Sequence, residues 1–141
     1  MGLYLCIFDG DDEEGDNELE GVAIGHYSDF ALFRDAVRDH LEDGDAGSRF
    51  PVLMNHEDND GEWSPSEAKL LDAELVIIAN EFLARPPIAL SGWQAIHVKE
   101  NGLTPKTLLE CFFEVGGAPL LARMRELCAC SIERGLPILF Q

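Results

Sequence analysis

The chain has 141 residues, a length typical of a single domain, and we predict one domain over residues 1–141. Hydrophobic residues make up 46% of the chain and charged residues 26%, proportions that exclude an intrinsically disordered protein. Acidic residues outnumber basic ones 27 to 10. The resulting formal charge of −17 disfavours nucleic acid and membrane surfaces as partners, because both are anionic.

The negative charge is concentrated in one half of the chain. Residues 1–70 carry 19 acidic and 4 basic side chains, a balance of −15, whereas residues 71–141 carry 8 and 6, a balance of −2. A local excess of this size indicates an electrostatic field directed at a partner rather than a general adaptation for solubility. Solvated loops without a partner are the alternative interpretation.

The first residues and the cysteines indicate a cytoplasmic protein. The opening lacks the basic n-region of a signal peptide, and its apolar run stops at Asp9. Among aliphatic runs the longest, residues 75–79, is far shorter than the ~20 residues that span a bilayer. No C-x-x-C spacing is present, so we expect four reduced and mostly buried thiols.

The first half of the chain predicts three strands and a helix. Residues 3–8 form an apolar, central strand, which pairs with residues 20–26 in an antiparallel hairpin. Ser28 is the expected N-cap of a helix that ends near Gly44, with Tyr27 and Leu32 as a hydrophobic staple. Residues 49–54 are predicted to form the third strand.

The second half predicts four helices and two strands. Ser64-Pro65-Ser66-Glu67 is a capping box with proline at N1, and it starts a helix to about residue 84 that is buried over much of its circumference. Shorter helices are expected at residues 93–100 and after residue 104, with a strand at 111–115. A last helix carries Ile132 inward and stops at Gly135, before a strand at 136–140.

These elements predict an α+β fold (mixed α/β). We expect a mixed sheet of about four to five strands packed against three to four helices, because the first connection is a hairpin and later ones pass through helices.

A possible calcium loop is the most specific local motif. On the twelve-residue template that begins at His56, Asp58 and Asp60 take positions 3 and 5, Gly61 the turn, and Glu67 the bidentate position 12. The histidine at position 1 departs from the template because calcium prefers oxygen ligands. The favoured interpretation is therefore an Asx-type turn followed by a helix cap, and we assign no metal and no cofactor.

No catalytic residue can be assigned. The chain lacks a nucleophile elbow, a Walker loop, an H-E-x-x-H motif and a glycine-rich dinucleotide turn. Its four histidines are scattered, and carboxylates in an acid-rich loop carry no information about acid or base catalysis. An acidic enzyme is a minor alternative.

Nearly the whole chain resembles a known family. The stretches that carry the likeness are Met1-Gly2-Leu3-Tyr4-Leu5-Cys6-Ile7-Phe8-Asp9, Gly21-Val22, Ser28-Asp29-Phe30, Arg49-Phe50-Pro51, Asp58-Asn59-Asp60-Gly61-Glu62-Trp63-Ser64-Pro65, Gly92-Trp93-Gln94 and Gly135-Leu136-Pro137-Ile138-Leu139-Phe140-Gln141. They resemble the immunity protein 70 family of bacterial polymorphic-toxin systems. The resemblance implies a small cytoplasmic protein, not an enzyme, that binds and neutralises a cognate toxin domain.

The acidic composition and this resemblance together predict where the toxin binds. A basic cleft that binds phosphates can be filled by carboxylates, and opposite charge speeds the encounter of two proteins. We therefore expect one electronegative face for a basic toxin domain. Its predicted residues are Asp11, Asp12, Glu13, Glu14, Asp16, Glu18, Asp58, Asp60, Glu62 and, as either an anchor or a packing residue, Trp63.

Overall fold

A four-stranded sheet organises the described part of the chain. The computed structural model describes residues 2–9, 17–58 and 60–141. In chain order the elements are β1 (Gly2–Phe8), β2 (Glu18–His26), α1 (Tyr27–Leu41), α2 (Pro51–Met54), β3 (Glu62–Trp63), α3 (Pro65–Leu83), α4 (Gly92–Glu100), a 3₁₀ turn (Leu109–Cys111), α5 (Leu120–Arg134) and β4 (Ile138–Phe140). The predicted α+β class is confirmed.

The described strands pair in the order β2-β1-β4-β3, and each pair is antiparallel. The expected hairpin of β1 and β2 and the central place of β1 are confirmed. The sheet is antiparallel instead of mixed. Intervening helices allow a parallel crossover but do not require one, and β4 enters beside β1 in the opposite direction.

The two faces of the sheet have different neighbours. Leu5 lies opposite Val22 and Phe140, and these side chains belong to one buried core cluster with residues of α1, α3 and α5. Successive side chains of a strand point to opposite faces. Tyr4 and Cys6 therefore point to the other face, and neither belongs to that cluster. Helices α1, α3 and α5 thus cover one face of the sheet, which we call the inner face.

The helix α3 begins as predicted. The Ser64 hydroxyl accepts a hydrogen bond from the Glu67 N–H at 3.1 Å, and the Glu67 carboxylate accepts one from the Ser64 N–H at 3.1 Å. The five apolar residues predicted for its main stripe are buried: Ala68, Leu71, Leu75, Ile78 and Phe82. The expectation of wider burial is wrong, since Ile77 is 46% exposed and Leu83 56%.

The helix α5 also differs from its prediction at one residue. Its inward stripe and its end at Gly135, which has a φ of 67°, are confirmed. Ile132 is 45% exposed, because the inward position of that last turn is taken by Ser131, which is fully buried.

The predicted strand at residues 49–54 is wrong, because residues 51–54 form a helical turn, α2. Two carboxylates bind the N–H groups that a strand would use. Glu74 accepts from Val52 at 3.1 Å and from Leu53 at 2.9 Å, and Glu42, only 3% exposed, accepts from Arg49 and Phe50. These bonds cross between distant parts of the chain, so local β propensity did not reveal them.

Two further local predictions are wrong. The N-cap of α1 is His26 instead of Ser28, because the Asp29 carboxylate accepts the His26 N–H at 2.7 Å, and Leu32 of the expected staple is exposed. Residues 111–115 form a single bridge, from Phe113 to Pro119, rather than a strand.

Replacing Glu74 tests this use of carboxylates as caps. Burial raises the pKa of Glu74, although its two backbone hydrogen bonds oppose the rise. We expect Glu74→Ala to lower the free energy of unfolding by about 2 kcal/mol in urea denaturation, because two N–H groups lose their acceptor. Glu74→Gln, which keeps an acceptor, should lose less. Equal stability of Glu74→Ala and the exposed control Glu133→Ala would contradict this role.

Candidate functional site

The face of the sheet opposite the helices, the outer face, carries few charges in its middle. Cys6 lies opposite Gly21 on one side and Leu139 on the other, and Leu139 in turn lies opposite Glu62. Alternation therefore places Glu62, which is exposed, on the outer face at the β3 edge. The centre of this face is uncharged, and a carboxylate borders it at this edge.

A second carboxylate borders the opposite edge. The Tyr4 hydroxyl donates to the Glu18 carboxylate at 2.8 Å, and the ring lies over Gly21, where a Cβ would collide with the hydroxyl. Burial, followed by the hydrogen bond and the charge of Glu18, raises the pKa of Tyr4 to about 12. The phenol therefore stays protonated at neutral pH and keeps Glu18 on the outer face at the β2 edge.

Strand geometry gives the spacing of the two carboxylates. Glu18 pairs with Phe8, and Glu62 lies level with Cys6, three strands away. From a strand separation of 4.8 Å and a rise of 3.3 Å per residue, their Cα atoms lie about 16 Å apart. A standard interface covers ~800 Å² per partner and is roughly 30 Å across, so one partner can reach both carboxylates.

The two predicted acidic segments join the sheet at opposite corners. The Asp9 N–H donates to the Asn17 carbonyl at 2.8 Å, so the first segment leaves and re-enters at the end of β1. The second segment precedes β3. Because β3 runs parallel to β1, this segment lies at the end of the sheet where β1 begins. Asp11, Asp12, Glu13, Glu14 and Asp16 lie outside the described residues.

The second segment is held from below by aromatic rings. The His56 ring stacks on Phe140 at 4.1 Å, and its two nitrogens lie 2.5 Å from the Glu57 carbonyl and 2.9 Å from the Glu62 carbonyl. A doubly protonated ring can donate to both carbonyls, and a neutral ring to one of them. Trp63 is 1% exposed and donates from Nε1 to the Val52 carbonyl. The packing role of Trp63 is confirmed, and its ring has almost no exposed surface.

The aspartates of this segment differ in their surroundings. Asp60 is exposed, and its carboxylate accepts the Gly61 N–H at 2.8 Å. Asp58 lies near Arg34, whose guanidinium sits 4.3 Å from the centre of the Phe30 ring. Burial lowers the pKa of Arg34, and the charge of Asp58 opposes this shift.

A groove of about 550 Å³ lies beside the outer face, where β2 approaches α4. Tyr4, Ala23, Trp93 and Val115 line it, and Val115 also donates its N–H to the Ala23 carbonyl at the edge of β2. No pattern in the sequence had singled out this groove. Two of the stretches that carry the family resemblance, at Asp29 and at Trp93, meet at its wall.

Asp29 fixes that wall. It accepts hydrogen bonds from Trp93 Nε1 at 3.0 Å, from Gln94 Nε2 at 2.6 Å and from the His26 N–H at 2.7 Å. Burial alone would raise the pKa of Asp29, but these three hydrogen bonds outweigh it and the net pKa is lowered. The ionised carboxylate therefore ties α4 to the start of α1.

The cysteines match their prediction. All four are free; Cys6, Cys111 and Cys128 are buried and Cys130 is partly buried. Burial raises the pKa of Cys6 to about 11 and that of Cys128 to about 12, so both remain thiols at neutral pH.

Comparison with known proteins decides the family. The model of immunity protein 70 matches residues 3–140 of the 141 in the chain. The chain belongs to the immunity protein 70 family. No curated protein and no solved structure matches it. None of the described helices has both the length and the apolar character of a membrane span.

The residues of the calcium template make other contacts, as the favoured interpretation of a turn and a helix cap requires. Glu67, at position 12, caps α3, and His56, at position 1, faces two carbonyl oxygens. Within residues 2–9, 17–58 and 60–141, no group of three or more His, Cys, Asp or Glu side chains could hold a metal ion.

Calcium titration tests this interpretation of the loop. We expect isothermal titration calorimetry with millimolar calcium to show no saturable heat, because binding would remove Glu67 from the helix cap. A saturable heat signal that Glu67→Gln abolishes would contradict the expectation that the loop binds no calcium.

The role of Asp29 can be tested through Trp93. Because its native pKa is lowered, Asp29 stabilises the fold above its unfolded-state pKa, and this stabilisation is lost as the pH falls through the native pKa. We expect the Trp93 emission to shift to the red only below about pH 4, and in Asp29→Ala already at pH 7. The emission of Trp93→Phe gives the contribution of the buried Trp63 to the tryptophan fluorescence. Unchanged emission of Asp29→Ala at pH 7 would contradict the role of Asp29 in holding α4 to the start of α1.

Proposed function

We propose that this chain is an immunity protein that binds and neutralises a cognate toxin domain through the outer face of its sheet. The family match over residues 3–140 is the observation that carries the proposal, since an immunity protein family implies a toxin as partner. It also favours a binding protein over an enzyme. The toxin domain is expected to be basic, and the complex to form in the cytoplasm.

The placement of charge supports the outer face as the binding surface. Glu18 and Glu62 border it at opposite edges, and both are exposed. The segment of residues 10–16, which contains Asp11, Asp12, Glu13, Glu14 and Asp16, joins β1 to β2 at one corner. Asp60 precedes β3 towards the opposite corner. A partner that covers the uncharged centre would meet carboxylates on two sides.

The mechanism of neutralisation follows from this charge pattern. A toxin that cleaves or modifies a phosphate-containing substrate needs cations in its cleft, and carboxylates can occupy the same positions as the phosphates. The bound immunity protein would then exclude the substrate sterically and electrostatically. Long-range attraction would also raise the association rate, which reaches ~10⁸ to 10⁹ M⁻¹s⁻¹ at low salt in steered complexes.

Co-purification and association kinetics test the proposal. We expect the chain to co-purify with the toxin domain encoded beside it, and the association rate to fall as ionic strength rises. Glu62→Lys should lower this rate several-fold and weaken its salt dependence. Glu133→Lys, on the solvent side of α5, makes the same change in net charge and should have the smaller effect.

Two results would contradict the proposal. Failure to bind the neighbouring toxin domain would remove the function itself. An association rate that does not depend on salt, or equal effects of Glu62→Lys and Glu133→Lys, would contradict the role of the outer face in electrostatic steering.

A further inference from the structure

The groove beside the outer face has a chemically unusual lining for so acidic a protein. Aromatic and aliphatic groups of Tyr4, Ala23, Trp93 and Val115 form its surface, and its volume is about 550 Å³. Val115 is 53% exposed at the rim. The groove is therefore open to a partner that approaches the outer face, and it offers that partner an apolar wall.

A carboxylate, that of Glu18, lies next to the groove beyond Tyr4, although Glu18 is not one of the residues that line it. Tyr4 lines the groove, and its hydroxyl donates to Glu18 at 2.8 Å. An ionised carboxylate can accept about four hydrogen bonds, and this contact uses one of them. Glu18 is exposed, so its remaining acceptor positions can be reached from outside.

Hydrogen bonds donated by Trp93 and Tyr4 make their rings more attractive to a cation. Trp93 donates its indole N–H to the ionised Asp29, and Tyr4 donates its hydroxyl to Glu18. Each bond polarises the ring towards greater electron density on its face, which strengthens the attraction for a positive charge. Arginine and lysine also bury their aliphatic stems on apolar surfaces while the charged end stays at a polar group.

We propose that the groove receives one long basic side chain of the toxin domain, whose stem lies on Tyr4 and Trp93 and whose charged end pairs with Glu18. This inference rests on the proposed function, because it names the contact through which the outer face recognises its partner. Charge complementarity selects a basic side chain over a purely apolar one, since an apolar side chain would leave the charge of Glu18 without an opposite charge at the contact surface.

Two substitutions test the groove without removing its walls. Val115→Arg places a cation at the rim, and the backbone bond of residue 115 to Ala23 does not depend on the side chain. Glu18→Gln removes the charge and keeps an acceptor for the Tyr4 hydroxyl. Leu83→Arg, at a residue 56% exposed on α3, is the control for added charge. Thermal unfolding of each variant confirms that the fold is intact.

The affinity of the purified toxin domain is measured by calorimetry for each variant. We expect Val115→Arg and Glu18→Gln each to weaken binding about tenfold, and Leu83→Arg to have little effect. Replacement of the toxin's basic residues one by one with methionine should reveal one position at which the effect of Glu18→Gln disappears.

The outcomes separate the inference from the function on which it rests. If the wild-type chain does not bind the toxin domain, the proposed function fails as well. If it binds and Val115→Arg alone weakens the complex, the occupant is apolar and the inference is overturned. If neither groove variant differs from Leu83→Arg, the groove lies outside the interface and the inference is again overturned.

Discussion

The pairing register of β1 with β2 and β4 decides on which side of the sheet every side chain of the described strands lies. Leu5 meets Val22 and Phe140 on the inner face, and Cys6 meets Gly21 and Leu139 on the outer face. A slip of one residue would exchange the two faces, since side chains alternate with period two. Leu3, Leu5 and Ile7 belong to the hydrophobic core and point to the inner face. Tyr4 therefore points to the outer face, where its hydroxyl contacts Glu18.

The carboxylates of this acidic chain fall into two groups with different roles. Glu42, Glu74 and Asp29 are buried or partly buried, and they accept hydrogen bonds from backbone N–H groups that hold helix starts and connections in place. Glu18 and Glu62 are exposed on the outer face. A count of acidic residues therefore overstates the charge that a partner can meet, and the exposed carboxylates are the ones available for recognition.

Local patterns predicted the elements that depend on neighbours in the sequence. The hairpin of β1 and β2, the capping box of Ser64 and Glu67 and the end of α5 at Gly135 follow from residues a few positions apart. Contacts between distant residues were missed. The turn at residues 51–54 depends on Glu74, and the wall of the groove depends on Asp29 meeting Trp93. Long-range hydrogen bonds of this kind leave no periodic signal.

The same distinction applies to the candidate site. Composition indicated that a negative field exists, and the family resemblance indicated a toxin as partner. Neither showed that Glu18 and Glu62 share one face, because that follows from the register, nor that Trp63 is buried below the loop it belongs to. Asp9 and Asn17, which flank the first acidic segment, and the segment before β3 lie at opposite corners of the sheet, and the centre of the outer face between Glu18 and Glu62 is uncharged.

Hydroxyl-radical footprinting of this chain, alone and in complex with the proposed toxin domain, tests the location of the binding surface most directly. The method reports the solvent accessibility of individual side chains by their rate of oxidation. If the outer face binds the toxin, Tyr4 and Leu139 become protected in the complex while Ile77 and Leu83, on the exposed side of α3, react as before. Protection confined to Ile77 and Leu83 would contradict the account.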